Sequence, residues 1–315
     1  LCAGALLGTN EKGKFRAADK PLAAGSFRKC VWIDYDHDYD LDLLLAGSAS
    51  ALMRNNGDGS WTAATSSFPF AAGEAVDAAV LEVGDSTNSF DVVVAYQNQP
   101  AVLYRDRKAG KYEAMPLGFQ LAAGLQVGDF NQDGHLDLAA GSQLVENQRG
   151  VLKQGPGLPA SAGVFADFYN RGRADLLAGA DLFLHRGGFQ YGPGRVRGAQ
   201  PAAAMTAADF NNDGLTDVAV LDGEGAVHWL KNATATKNPW IRVALAGVKN
   251  LKLGAATRVE VKAGRLYQKK VYQGVPLVFG LPGYTQADTV RITWPNGLIQ
   301  NEPSQRAAAH YNYKE

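Results

Sequence analysis

An excess of charge of either sign is absent from this 315-residue chain: 31 Lys and Arg stand against 31 Asp and Glu, a formal net charge of zero. A surface built to grip nucleic acid or anionic lipid needs surplus cations, so no nucleic-acid partner is expected. Long apolar runs are missing as well. Stretches such as residues 43–46 and 92–96 have strand length, far short of the roughly 20 residues that span a bilayer, so no membrane span is expected. Cysteine is scarce: Cys2 and Cys30 are too few for a disulfide scaffold, lack metal-ligand spacing, and make at most one bridge. The five histidines, His37, His135, His185, His228 and His310, are scattered, and neither G-x-S-x-G nor H-E-x-x-H occurs. The opening at Leu1, without Met or a basic leader, reads as a cut, with any signal peptide already gone.

What is abundant is glycine, 36 residues against a norm of about 7%, which with 13 prolines points to a chain that turns often. The turns recur. Residues 31–47 read VWIDYDHDYDLDLLLAG, residues 127–141 VGDFNQDGHLDLAAG and residues 206–221 TAADFNNDGLTDVAVL. Two worn copies lie at 166–179, ADFYNRGRADLLAG, and 80–95, VLEVGDSTNSFDVVVA. The last Asp of each copy, Asp42, Asp91, Asp137, Asp175 and Asp217, marks a period of roughly 45 residues, the spacing of propeller blades.

Most copies continue through a second strand pair ending in an aromatic residue, as in LMRNNGDGSW at 52–61, LYRDRKAGKY at 103–112 and FLHRGGF at 183–189. Asn and Gly supply the positive-φ positions of tight hairpins, and no capped 3.6-residue periodicity competes, so four short strands per repeat are expected. Residues 1–15 resemble the second half of a repeat. The expected fold is therefore all-β: a partial β-propeller over residues 1–232, six or seven blades when complete, followed by a small β domain over 233–315.

The repeats carry an Asp-x-[Asp/Asn]-x-Asp-[Gly]-x-x-Asp loop, filled by Asp34, Asp36, Asp38 and Asp42, by Asp129, Asn131, Asp133 and Asp137, and by Asp209, Asn211, Asp213 and Asp217. Carboxylates packed this closely repel one another unless a cation neutralises them. Calcium suits the set: it takes six to eight oxygens in flexible geometry, with side chains from positions 1, 3, 5 and 9 and a backbone carbonyl from position 7, here Asp40, His135 and Leu215. Gly134 and Gly214 sit at position 6, where the loop must turn, and Tyr39 replaces them in the first loop. About three Ca2+ sites are expected. The competing reading is that these residues only make Asx-turns. EF-hands are excluded, because position 12 is Leu45, Ala140 or Val220 within strand-like runs rather than Glu. In the copy ending at Asp175, Tyr169 and Arg171 occupy positions 3 and 5, so a fixed guanidinium replaces the cation; the copy ending at Asp91, with Glu82, Asp85, Ser86 and Thr87, is expected to hold no metal.

These loops resemble FG-GAP or VCBS repeats, the calcium-binding propeller repeats of integrin-α-like and bacterial secreted proteins. Downstream, NPWIRVAL at 238–245, GAATRVEV at 254–261, FGL at 279–281 and WPNG at 294–297 are similar to an ASPIC/UnbV domain, which follows such a propeller in the cartilage acidic protein family. The resemblance implies a secreted, periplasmic or cell-surface calcium-binding scaffold for a protein or glycan partner, not an enzyme, with its metals structural. A homo-oligomer stays open. The alternatives are a lectin-like propeller, which needs repeated aromatic-lined pockets, and a polysaccharide-acting enzyme, which needs one cleft of convergent carboxylates outside the loops.

Other features read as structural. GTNEKGK at 8–14 has phosphate-loop spacing, but Phe15 stands where Ser or Thr is needed. Trp240, Phe279 and Trp294 read as core or interdomain packing, the basic residues of 262–270 as a solvated strand face, and His37 and His135 as solvent-facing loop residues. Asn232-Ala233-Thr234 forms a glycosylation sequon.

Overall fold

The computed structural model describes residues 7–11, 14–18, 20–84, 89–161, 163–195, 202–248 and 254–315. These residues form an all-β protein of 28 strands, with one 3-10 turn at Thr65–Ser67. The chain divides into two compact units, Leu1–Val127 with Asn147–Gln154, and Gly128–Glu146 with Gly155–Glu315.

The first unit opens with an antiparallel hairpin, β1 (Gly8–Glu11) and β2 (Lys14–Ala17). Residues 1–6 of the expected half-repeat, Cys2 among them, lie outside the described residues; Cys30 is disulfide-bonded. Then come two four-stranded antiparallel sheets whose strands pair in chain order: β3 (Phe27–Ile33), β4 (Asp42–Gly47), β5 (Ala51–Asn55) and β6 (Trp61–Ala63), followed by β7 (Ala75–Leu81), β8 (Asp91–Tyr96), β9 (Val102–Asp106) and β10 (Tyr112–Pro116). A third sheet has the same order, β11 (Gln126–Gly128), β12 (Asp137–Ala140), β13 (Gln143–Asn147) and β14 (Leu152–Gly157).

The second unit continues with β15 (Val164–Ala166), β16 (Asp175–Ala178), β17 (Asp181–Gly187) and β18 (Gln190–Pro193), then a fifth sheet of three strands, β19 (Ala204–Ala208), β20 (Asp217–Leu221) and β21 (Val227–Leu230). In every repeat the second strand begins at the closing Asp. It reads as an unbroken apolar run because it is buried on both faces: all six residues of β4 and of β8, and all four of β12, are buried. From the third sheet to the fifth, neighbouring sheets supply that burial. Leu176 of the fourth sheet packs with Ala139 and Leu144 of the third, while Leu177 and Leu182, on its other face, pack with Val218 and Val220 of the fifth.

After residue 239 the connectivity changes. β22 (Trp240–Ala246) pairs antiparallel with β25 (Leu277–Gly280) and parallel with β28 (Ala309–Lys314), while β23 (Arg258–Ala263), β24 (Leu266–Val271), β26 (Gln286–Thr293) and β27 (Ile299–Arg306) form a four-stranded antiparallel sheet. Period-2 alternation in β22 and β23 sends Ile241, Val243, Val259 and Val261 into one core with Phe279, Ile292 and Trp294. The core assignment of Phe279 and Trp294 thus holds.

Candidate functional site: the acidic loops

The acidic segments 34–42, 129–137, 167–175 and 209–217 each join the first strand of a repeat to its second. They share one backbone. At position 4 His37, Gln132, Asn170 and Asn212 have φ between 52° and 65°, and at position 6 Tyr39, Gly134, Gly172 and Gly214 have φ between 69° and 88°. The position-1 carboxylate organises the turn: Asp34, Asp129, Asp167 and Asp209 each accept the position-6 N–H through Oδ2, at 2.6 to 3.1 Å. In the last three, Oδ1 also accepts the position-5 N–H. At position 5, Asp38, Asp133 and Asp213 accept the position-7 N–H of Asp40, His135 and Leu215, an Asx-turn inside the larger loop.

The closing Asp does a different job. Asp42 accepts the N–H of Tyr35 at 2.9 Å and that of Asn55, at the end of β5, at 2.8 Å. Asp217 does the same with Phe210 and Asn232, and Asp91 with Val83 and Asp106. Asp137 accepts from Phe130, and Asp175 from His185. All five are buried, and Asp42, Asp91, Asp175 and Asp217 tie the second strand of the repeat to the third by a backbone donor, which satisfies amides that would otherwise be stranded. Residues 85–88 of the second copy lie outside the described residues.

Of the sequence-identified loops, 34–42 gathers carboxylates most closely. Oxygens of Asp34, Asp36 and Asp42 lie within 4.8 Å of one another. Oδ1 of Asp34 and of Asp36 are buried and lack a hydrogen-bond partner among the described residues. Burial pushes Asp34 up to about 6 and Asp42 up to about 7, the mark of negative charge held away from water. A guanidinium answers part of it: Arg54 donates to Asp36 at 2.6 Å and to Asp38 at 2.7 Å. His37 is no solvent-facing residue. Its Nε2 lies 2.8 Å from Asp106, and its ring is edge-on to Phe90. Although burial raises the Asp106 carboxyl, His37 and the N–H groups of Phe90 and Lys108 outweigh it and hold the group below its ordinary value.

In loops 129–137 and 209–217 the Asn131 and Asn211 amides each donate to the position-5 Asp at 2.9 Å. Asp129 is raised to about 6 by burial. Loop 167–175 takes its own cation, as its sequence predicts: Arg171 reaches forward to Asp175, which burial raises to about 6.

The sequence gives no hint of what covers these three loops within the second unit. Lys269 donates to the carbonyl of Gly134 at 3.1 Å, and Arg242 Nε lies 3.6 Å from Asp209 Oδ2. Burial raises the Asp167 carboxyl against the opposing charge of Lys270, whose ammonium donates to Val278 O at 2.6 Å over the Phe279 ring. The position-6 glycines are covered as well. A Cβ on Gly134 would lie 3.2 Å from Tyr267, on Gly172 2.8 Å from Leu266 and on Gly214 1.8 Å from Trp240. Tyr39, exposed in the first unit, meets no such limit and adopts the glycine-like φ regardless. The stretch 262–270 is therefore not wholly a solvated strand face: Lys262 and Arg265 are exposed, while Lys269 and Lys270 turn to carbonyls. Trp240 packs over Gly214, with Tyr267 and Leu266 in the like place over Gly134 and Gly172.

Away from the loops, a hollow of about 320 Å³ on the fourth sheet is lined by Asp181, Leu182, Phe183, Pro193 and Arg195, with one carboxylate and one aromatic ring among them. No helix among the described residues is long and apolar enough to cross a membrane.

No family model matches the sequence, and no curated protein matches it. Among solved structures, the chain is similar to the V. cholerae biofilm matrix protein Bap1, with 13% identity and a TM-score of 0.40 over 90% of this chain. It spans 60% of that protein's length. It is also similar to the BP39L lectin of Burkholderia pseudomallei, with 13% identity and a TM-score of 0.43 over 89% of this chain and 99% of the lectin.

Proposed function

We propose that the chain is an extracytoplasmic, calcium-binding scaffold for protein binding or adhesion, built on FG-GAP-like repeats of a β-propeller and closed by an ASPIC/UnbV-like β module. The observation that carries this reading is the common loop backbone, which presents hard oxygen donors in the same register in repeat after repeat. Asp34, Asp36, Asp38 and Asp42 with the Asp40 carbonyl, Asp129, Asn131, Asp133 and Asp137 with that of His135, and Asp209, Asn211, Asp213 and Asp217 with that of Leu215 would hold the ions. The unpartnered Asp34 and Asp36 oxygens fit a hard cation. Bound calcium supplies charge neutralisation, not chemistry; the chain's own residues hold the loops in shape.

At a dissociation constant of about 10 μM and about 1 mM calcium, each site adds roughly 2.7 kcal/mol of stability. Calorimetric titration of chelator-stripped protein should find about three sites, with Asp133→Ala and Asp213→Ala each removing one. Heat-free titrations with unfolding unchanged by chelator would reduce the loops to Asx-turns. A glycan-binding reading draws on Trp32, 47% exposed and 6.3 Å from Trp61, a sugar-stacking platform on the first sheet. Binding on a glycan array that is lost in Trp32→Ala would favour it.

A further inference from the structure

Loop 34–42 departs from its counterparts at position 3. In loops 129–137 and 209–217 the position-5 Asp has both oxygens engaged by neutral donors: Oδ1 accepts the position-7 N–H, and Oδ2 accepts the amide of Asn131 or Asn211. A carboxylate at position 3 has no proton to donate, so Asp36 cannot steady Asp38 in this way. Arg54 stands in for the amide. Its Nε donates to Asp36 Oδ2 and its Nη2 to Asp38 Oδ2, so one guanidinium bridges positions 3 and 5, with Nη1 turned to Asn56 at 3.4 Å.

Strand register fixes where this cation comes from. The residue after each closing Asp pairs with the third strand in the same way in all five repeats, which places Arg54, Arg105, Glu146, Leu184 and Lys231 at equivalent points near the end of that strand. Lys231 lies 3.5 Å from Asp213, and Arg105 3.5 Å from Asp91. Loop 167–175 carries Arg171 within itself and has apolar Leu184 at that point. We infer that Arg54 is the resident counter-ion of loop 34–42 and sets its calcium affinity, because a divalent ion drawing on Asp36 and Asp38 competes with the guanidinium for the same negative charge. The inference rests on the calcium reading of the loops. The Arg54 side chain is 37% exposed, which lets its head turn to water, while Asp34 Oδ1 is a buried oxygen that the guanidinium leaves without a partner among the described residues. Arg54 thus holds the loop at low calcium, and the ion holds it at high calcium.

Calcium titration of the full chain carrying Asp133→Ala and Asp213→Ala, which keeps loop 34–42 intact, tests this. Adding Arg54→Gln should tighten the remaining site about tenfold, and Arg54→Lys, whose ammonium lacks the fork that reaches both carboxylates, should fall between. Thermal unfolding in chelator reads the same residue without metal. There Arg54→Gln should lower the melting temperature by about 1–3 °C, and adding Asp36→Asn, which restores the amide donor of the other loops, should recover most of that loss. Calcium bound by the parent protein with an affinity that Arg54→Gln leaves unchanged, or a metal-free melting temperature indifferent to that change, would overturn the inference while the calcium reading stands. Absence of calcium at every loop, in wild type and variants alike, would overturn both.

Discussion

Gly214 lies directly beneath the indole of Trp240, so near that a methyl group on the glycine would overlap the ring. Two demands thus meet at one residue, a φ of 82° and a contact surface for the C-terminal module. Gly214→Ala is expected to lose about 2–4 kcal/mol, from left-handed strain and overpacking together. Tyr39→Gly, at the same loop position without a cover, should stay within about 1 kcal/mol of wild type, on the stabilising side. Urea unfolding of the two variants checks the contrast; equal effects would mean that the contact contributes nothing.

Arg171 stands where the other loops carry a carboxylate. Arg171→Ala leaves the buried Asp175 without its guanidinium and should destabilise by about 3 kcal/mol. The paired change Tyr169→Asn with Arg171→Asp recreates the pattern of loops 129–137 and 209–217, and should add one calcium site to the calorimetric stoichiometry. An unchanged stoichiometry would count against the register assigned to the loops.

Asp91 closes a repeat with no expected metal, so its role as a backbone acceptor is separable from ion binding. Asp91→Ala strands the N–H groups of Val83 and Asp106 and should lose about 2–5 kcal/mol, by the same amount in calcium and in chelator. Thermal or urea unfolding in both conditions measures it. A loss confined to calcium would contradict the clamp.

His185 is buried, its Nε2 shared between the carbonyls of Phe130 and Gly188. Burial holds its pKa below the ordinary value, with Arg173 and Arg171 adding to the effect against those two hydrogen bonds. The unfolded chain therefore takes up a proton first, and stability from this residue is present above pH 6.5 and falls as pH drops below it. Asp34, Asp42, Asp129 and Asp175 act in the opposite sense, since their raised values favour the fold as they protonate. The difference between wild type and His185→Gln in melting temperature from pH 7 to 5 isolates the histidine, and should narrow as the pH falls.

The repeats were legible because each writes its closing Asp and apolar strand into consecutive residues, and the strand–loop–strand order follows from them. Arg171 was legible for the same reason: it sits inside the pattern that it alters. Arg54 was not, since its reach to Asp36 depends on β3, β4 and β5 lying side by side. Lys269 and Arg242 were hidden more deeply, because nothing near them in the chain says that Gly134 or Asp209 will lie opposite. His37 misled for a related reason, its partner Asp106 belonging to the following repeat.

The clamps formed by Asp42, Asp91 and Asp217 each begin and end within a single copy of the pattern: Tyr35 and Asn55 around Asp42, Val83 and Asp106 around Asp91, Phe210 and Asn232 around Asp217. A gene segment cut at matching points of two successive copies carries this wiring whole. Duplication or loss of a unit then severs none of these bonds, so such a chain can lengthen or shorten by recombination while every surviving copy keeps the means to hold its own loop.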